Sequence, residues 1–215
     1  DMSFSYEPSR KLIENFNLEI KKGQKVAIVG PTGAGKTTLI NLLMRFYDPN
    51  SGLISINNKS YLDIKKESLR SHVGMVLQDT WIFSGTILDN IRYYKKTASE
   101  EEVKEAARKA HADIFINTLP NGYLTMVSNK HGLSEGQRQM IAIARIMLLN
   151  PELVILDEAT SNIDTRSEKL ITDAFDYMMK DKTSIVIAHR LSTIEKADII
   201  IVMKDGAIVE TGNHQ

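Results

Sequence analysis

The chain has 215 residues, 42% of them apolar, with 27 basic residues against 27 acidic ones and no cysteine. That length supports one domain with a full core and room for a smaller inserted lobe. Balanced charge argues against nucleic acid as a partner, and the lack of cysteine excludes a disulfide framework and thiolate metal sites. No apolar run approaches the roughly 20 residues that span a bilayer, and no signal peptide precedes the first strand, so this stretch of chain is expected to be soluble. A start at Asp1 and a polar end at Gln215 suggest a piece of something longer.

In chain order, short β-like segments come first, at Met2 to Tyr6 and Phe16 to Ile20. Alternation of Phe16, Leu18 and Ile20 predicts half-buried antiparallel strands in a layer beside a main sheet. Val26-Ala27-Ile28-Val29 is an apolar run of the buried-strand type, and Leu39, Leu42, Leu43 and Phe46 then recur at helical spacing. Between them lies Gly30-Pro31-Thr32-Gly33-Ala34-Gly35-Lys36-Thr37-Thr38, which fits GxxxxGK[ST]. In that context it reads as a phosphate cradle: glycines let the backbone curl its N–H groups inward, and the helix start adds positive potential. Lys36 would reach the β- and γ-phosphates of a nucleotide, and the Thr37 hydroxyl would ligate Mg²⁺.

Further strands are expected at Leu53 to Ile56 and Val73 to Leu77. The composition then turns helical. Val103, Ala106, Ala107 and Ala110 fall at helical spacing from Glu100 to His111, Asp113 is placed to cap a further helix, and Pro120-Asn121-Gly122 signals a turn. A helix from Gln137 to Leu149 is stopped by Asn150-Pro151. Buried-strand runs resume at Leu153 to Leu156, Ser184 to Ala188 and Ile199 to Met203, with a helix marked by Ile171, Ala174, Phe175 and Met178 between the first two. Lys204-Asp205-Gly206 before Ala207 to Glu210 closes a hairpin.

This pattern predicts an α/β fold with a mostly parallel sheet, an antiparallel β subdomain and an inserted α-helical subdomain, and with the cradle motif it resembles a P-loop NTPase (RecA-like) core. Core and β subdomain are expected at 1–78 and 151–215, and the helical subdomain at about 79–150. The run Leu153-Val154-Ile155-Leu156 ends in Asp157-Glu158. Ligands of open α/β sheets bind at the carboxyl ends of strands, which places Asp157 to hold Mg²⁺ and Glu158 to polarise an attacking water.

Leu133-Ser134-Glu135-Gly136-Gln137-Arg138-Gln139, lying between the cradle and the Asp-Glu strand, resembles the LSxGQ signature of ATP-binding cassette (ABC) nucleotide-binding domains, and the resemblance covers essentially the whole chain. It implies ATP and Mg²⁺ as cofactors. It makes Gly30 to Thr38, Tyr6, Gln78, Ser134, Gly136 and Gln137 nucleotide-binding residues, Thr37, Gln78 and Asp157 metal ligands, and Lys36, Gln78, Glu158 and His189 catalytic residues. Tyr6 matches the aromatic that stacks on adenine, Gln78 the glutamine-loop residue, Ser161-Asn162-Ile163-Asp164 the D-loop and His189 the switch histidine, which can hydrogen-bond the γ-phosphate and hold Glu158 in line. It further implies a second nucleotide-binding domain docked head to tail, so that each signature covers the ATP in the other cradle.

Arg45-Phe46-Tyr47-Asp48-Pro49 and the stretch from Gln78 to Ile87, with Asn90-Ile91 after it, look like exporter cassettes, in which the domain follows a transmembrane half and works at the cytoplasmic face of the membrane. Trp81 and Phe83 have two readings there: packing of the helical lobe, or the docking surface for the transmembrane domain in the region Gln78 to Phe83. Three positions depart from the family pattern. Glu135 replaces a usual glycine and would face a partner's γ-phosphate, Asn162 stands where a small residue is common, and Asn129 replaces a glutamate in a shortened Thr125 to Gly132 segment. The expectation is the catalytically complete half of a heterodimeric exporter. The alternatives are a homodimer that tolerates Glu135, and a non-transport ABC ATPase of translation or DNA maintenance.

Overall fold

A computed structural model describes residues 1–7, 12–77, 80–129, 132–157 and 163–214. Its elements run β1 (Met2–Phe4), β2 (Ile13–Phe16), β3 (Lys25–Val29), α1 (Lys36–Leu43), β4 (Ser55–Ile56), β5 (Lys59–Ser60), α2 (Lys66–Ser71), β6 (Val73–Val76), β7 (Gly85–Thr86) and α3 (Ile87–Arg92). They continue with α4 (Glu100–Lys109), α5 (Asp113–Ile116), β8 (Met126–Val127), α6 (Glu135–Leu149), β9 (Leu153–Asp157), α7 (Thr165–Met179), β10 (Thr183–Ile187), α8 (Leu191–Glu195), β11 (Ile199–Lys204) and β12 (Ala207–Gly212). The chain divides into two compact units. One comprises Asp1–Val73, Glu152–Glu158 and Lys182–Gln215; the other comprises Gly74–Pro151 and Ala159–Asp181.

In the first unit, strands β12, β11, β3, β10 and β9 lie in that order. β11, β3, β10 and β9 are parallel, and β12 returns antiparallel from the β11 hairpin. Val26, Ile28, Val154, Ile155, Ile185, Ile187 and Ile201 are all buried, as expected of parallel strands covered on both faces. β1–β2 and β4–β5 are separate antiparallel pairs. The strand predicted at Phe16 to Ile20 lies earlier, at Ile13–Phe16, where it pairs with β1, Met2 with Phe16 and Phe4 with Ile13. Leu18 and Ile20 are still more buried than their neighbours. Phe46 also leaves its predicted helix. α1 stops at Leu43, Arg45 takes a left-handed φ of 53°, and the Phe46 ring lies under the Arg70 guanidinium, 4.9 Å from its centroid.

The second unit is built on α6, against which α3, α4 and α7 pack. Gly136, Gln139, Met140, Ile141, Ile143, Ala144, Arg145, Ile146 and Leu148 are buried, so the helix is enclosed on most of its circumference. It starts at Glu135, two residues before the expected Gln137, because Ser134 caps it, and it ends at Asn150 in a left-handed conformation. α4 has a full capping box from Ser99 and Glu102, acids in its first turn and Arg108 and Lys109 in its last, complementing the helix dipole. Asp113 does not cap α5; it is the first helical residue, behind Ala112. No helix among the described residues is long and apolar enough to cross a membrane.

Candidate functional site

Three neighbouring parallel strands bring their carboxyl ends to one level. Ile28 of β3 is in register with Ile187 of β10, and Ile187 with Asp157 of β9. The Ala188 amide extends the ladder by donating to the Ile28 carbonyl at 3.0 Å. Gly30 follows β3 by one residue and His189 follows β10 by two, so the loop, the histidine and the carboxylate leave one edge of the sheet. His189 Nε2 stands 3.9 Å from Asp157 Oδ1, an ion-pair distance when the imidazole is protonated.

The loop itself depends on two glycines. A Cβ at Gly30 would lie 2.2 Å from the Met203 carbonyl oxygen, so only glycine lets the chain leave β3 so close to β11. Gly35 caps α1 at φ 97° and offers no side-chain acceptor, which leaves the first-turn amides to an anion. Lys36 Nζ donates to the Gly30 carbonyl at 2.5 Å and the Pro31 carbonyl at 2.9 Å, arching over the loop. Burial lowers the Lys36 pKa, and the nearby Asp157 charge opposes that shift. Thr37 is exposed and Thr38 buried on the first turn. Thr37 and Asp157 offer a hydroxyl and a carboxylate, hard oxygen donors of the kind that suits Mg²⁺.

Tyr6 presents a half-exposed ring. Its hydroxyl donates to Thr38 Oγ1 at 3.4 Å and accepts from Asn41 Nδ2 at 3.2 Å, and Phe4 and Tyr47 meet the ring edge-on.

In the second unit, Ser134 and Gln137 form a reciprocal capping box. The Gln137 amide donates to Ser134 Oγ at 3.2 Å, and the Ser134 amide donates to Gln137 Oε1 at 3.0 Å. Gly136 is a packing glycine: a Cβ there would lie 2.9 Å from the Ser167 Cβ and 3.3 Å from Ile163 Cγ2. Asp164 caps α7 by accepting from the Ser167 amide at 3.0 Å, a bond that holds its carboxyl pKa down.

The sequence model of the ABC transporter family matches residues 13–161. The chain belongs to the ABC transporter family. It is 54% identical over 214 residues to a fatty acid ABC transporter ATP-binding/permease protein of Mycobacterium tuberculosis, covering 99% of this chain and 34% of that protein. It is 49% identical over 215 residues to the uncharacterized ABC transporter ATP-binding protein YfiC of Bacillus subtilis, covering 36% of it. The solved structure of a bacterial Atm1-family ABC exporter with ATP bound superposes with a TM-score of 0.91 at 42% identity, over 99% of this chain and 37% of that one. The chain thus spans about a third of the length of the relatives it matches.

The α/β fold expected from sequence is that of an ABC ATPase. Within this ABC chain, Lys36, Thr37, Asp157 and His189 gather in the first unit, and Ser134, Gly136 and Gln137 open α6 in the second. Gln78, Glu158, Ser161 and Asn162 lie outside the described residues. Two features escaped sequence reading. The capping box was signalled by the S-x-x-Q spacing of Ser134 and Gln137. Arg145, a charge inside the apolar run Met140 to Leu149, is buried and donates to the Asn90 and Trp81 carbonyls at 2.6 and 2.7 Å. Trp81 above it is 54% exposed and clusters with Phe83 and Tyr93.

Proposed function

We propose that residues 1–215 form the nucleotide-binding domain of an ABC exporter, with its helical subdomain at about 79–150, which binds and hydrolyses ATP to drive export of a substrate across a membrane. The observation that carries this reading is the register of β3, β10 and β9, which delivers the cradle, His189 and Asp157 to one sheet edge. Tyr6 stacks on the adenine, and the cradle amides with Lys36 hold the phosphates. Thr37, Asp157 and Gln78 would hold Mg²⁺, which when bound neutralises phosphate charge. Glu158 takes a proton from water as the water oxygen bonds to the γ-phosphorus and the bond to the β–γ bridging oxygen breaks, leaving ADP and phosphate. His189 hydrogen-bonds a γ-phosphate oxygen and steadies Glu158.

A second nucleotide-binding domain completes the site head to tail. Ser134, Gly136 and Gln137 of this chain face the partner's ATP, and the Ser134 hydroxyl, accepting from its own helix, retains a proton to donate. The half-exposed Trp81 cluster supports docking of a transmembrane domain between Gln78 and Phe83, which would place the domain on the cytoplasmic face. Relatives named ATP-binding/permease proteins favour export over a non-transport ATPase.

Glu135 supports a finer reading, a heterodimer with unequal sites. As the first residue of α6 it suits its own helix dipole, yet it is a like charge toward a γ-phosphate held by the partner. Purified full-length transporter that contains two copies of this chain with equally active sites overturns the heterodimer. Reconstituted with its natural partner, Glu158→Gln should retain ATP binding and lose turnover by about a hundredfold or more. Unchanged turnover removes Glu158 as the base.

A further inference from the structure

The Tyr6 ring is built into its surroundings more firmly than a loop aromatic needs to be. Phe4 meets it at 85° with centroids 5.0 Å apart, and Tyr47 at 84° and 4.9 Å. T-shaped neighbours of this kind restrict the plane of a ring, and Tyr6 keeps 49% of its surface exposed. Its hydroxyl is engaged twice, donating to Thr38 Oγ1 at 3.4 Å and accepting from Asn41 Nδ2 at 3.2 Å. Both anchors sit on α1, the helix whose first turn belongs to the phosphate cradle. Thr38 is buried, so the hydroxyl is tied to the packed side of that helix. Phe4 holds the other end: it lies in β1, is buried, and contacts Tyr47 at 5.7 Å as well as Tyr6.

We propose that Tyr47 and Asn41 are positioning residues that preset the adenine platform, fixing the tilt of Tyr6 and its distance from the cradle before nucleotide arrives. This rests on the reading of Tyr6 and the cradle as one ATP site. A free ring would have to be ordered each time a base stacked on it, whereas a ring held by two edges and two hydrogen bonds has already lost that freedom. Such a device acts through the base, because its contact with the cradle, at Thr38, is made to a side-chain hydroxyl and not to a backbone amide or Lys36. The cradle binds phosphates through backbone amides and Lys36, which neither Tyr47 nor Asn41 touches among the contacts of the described residues.

The test compares binding of ATP and of inorganic tripolyphosphate to the full-length protein, with steady-state ATPase kinetics alongside. Tyr47→Ala and Asn41→Ala should each weaken ATP about three- to tenfold, the loss of one aromatic or hydrogen-bond contact. Tripolyphosphate affinity should stay unchanged, and the loss should appear in KM with kcat retained. Tyr47→Phe, which keeps the edge contact, should restore wild-type ATP binding, and Tyr6→Phe, which keeps the face but cuts the tether, should resemble Asn41→Ala. Equal weakening of ATP and tripolyphosphate, or no weakening of ATP, overturns the positioning role. Wild-type protein that binds tripolyphosphate no worse than ATP overturns Tyr6 as the adenine platform itself, a failure visible before any variant is made.

Discussion

Arg145 and Asn90 are joined twice inside the second unit: the guanidinium donates from Nε to the Asn90 carbonyl and from Nη2 to Asn90 Oδ1, both at 2.6 Å. Asn90 has no exposed surface, and its amide in turn donates to the Phe83 and Thr86 carbonyls at 3.1 and 3.0 Å. With the third bond, from Nη1 to the Trp81 carbonyl, the pair fixes the backbone beneath the exposed Trp81 cluster. Burial also lowers the Arg145 pKa. Arg145→Ala, which would leave these acceptors unpaired, should cost about 3 kcal/mol or more in urea unfolding. Trp81 is the only tryptophan, so its fluorescence reports this unit. Arg145→Lys should recover little, since one ammonium cannot span three acceptors; a wild-type midpoint for that variant would show the fork to be dispensable.

Tyr61 gives an alkaline signature. Its side chain is fully buried, its hydroxyl has no hydrogen-bond partner among the described residues, and burial, with the Asp48 charge adding to it and Arg45 opposing, pushes its pKa from 10.0 up to about 12. The fold therefore holds the neutral phenol. The stability this contributes is fully present below the unfolded pKa of 10.0 and is lost as pH rises through the folded value of about 12. Tyr61→Phe should flatten that alkaline decline and, by removing an orphaned buried hydroxyl, gain about 1 kcal/mol at neutral pH. Parallel thermal unfolding of both proteins from pH 8 to pH 11 reads both effects, and identical slopes would refute the assignment.

Two serines with the same local job separate structure from chemistry. Ser99 and Ser134 each cap a helix with a full capping box. Alanine at either should cost about 1 kcal/mol of stability. Only Ser134→Ala should also lower ATPase kcat/KM, by about tenfold, because the proposed head-to-tail site sets only that hydroxyl against a partner's nucleotide. Equal activity of the two variants in the assembled transporter would leave Ser134 as a cap and nothing more.

Gly136 is constrained by packing. Its added Cβ would press on Ser167 at 2.9 Å, so Gly136→Ala should force α6 and α7 apart at a cost of about 1–3 kcal/mol. Ser167→Gly in the same chain should recover part of that loss, because the clash involves the Ser167 Cβ and Oγ. A double-mutant cycle with no coupling between the positions would rule out this contact as the reason for glycine.

The legible parts of this chain were those encoded over a few consecutive residues. The cradle at Gly30 to Thr38, the apolar run into Asp157, the signature at Leu133 to Gln137 and the hairpin after Lys204 each carry their structure in local spacing, because turns, buried strands and helix starts depend on near neighbours. Periodicity misled where termination was decided elsewhere: Phe46 continues the helical repeat, yet Arg45 turns the chain out and Arg70 covers the ring.

What sequence alone determined was an order of motifs, a glycine-rich loop followed by a signature and a strand ending in carboxylates, in a chain whose alternating strands and helices demand a covered parallel sheet. Only tertiary structure decided that Ile28, Ile187 and Asp157 share one register, that Tyr6 is tied to α1 through Thr38 and Asn41, and that Arg145 reaches Asn90 across 55 positions of chain. The physical reason is range. Backbone preferences act over about four residues, whereas a ladder register, an edge-on ring or a buried guanidinium takes its partners from whichever segments the core brings together.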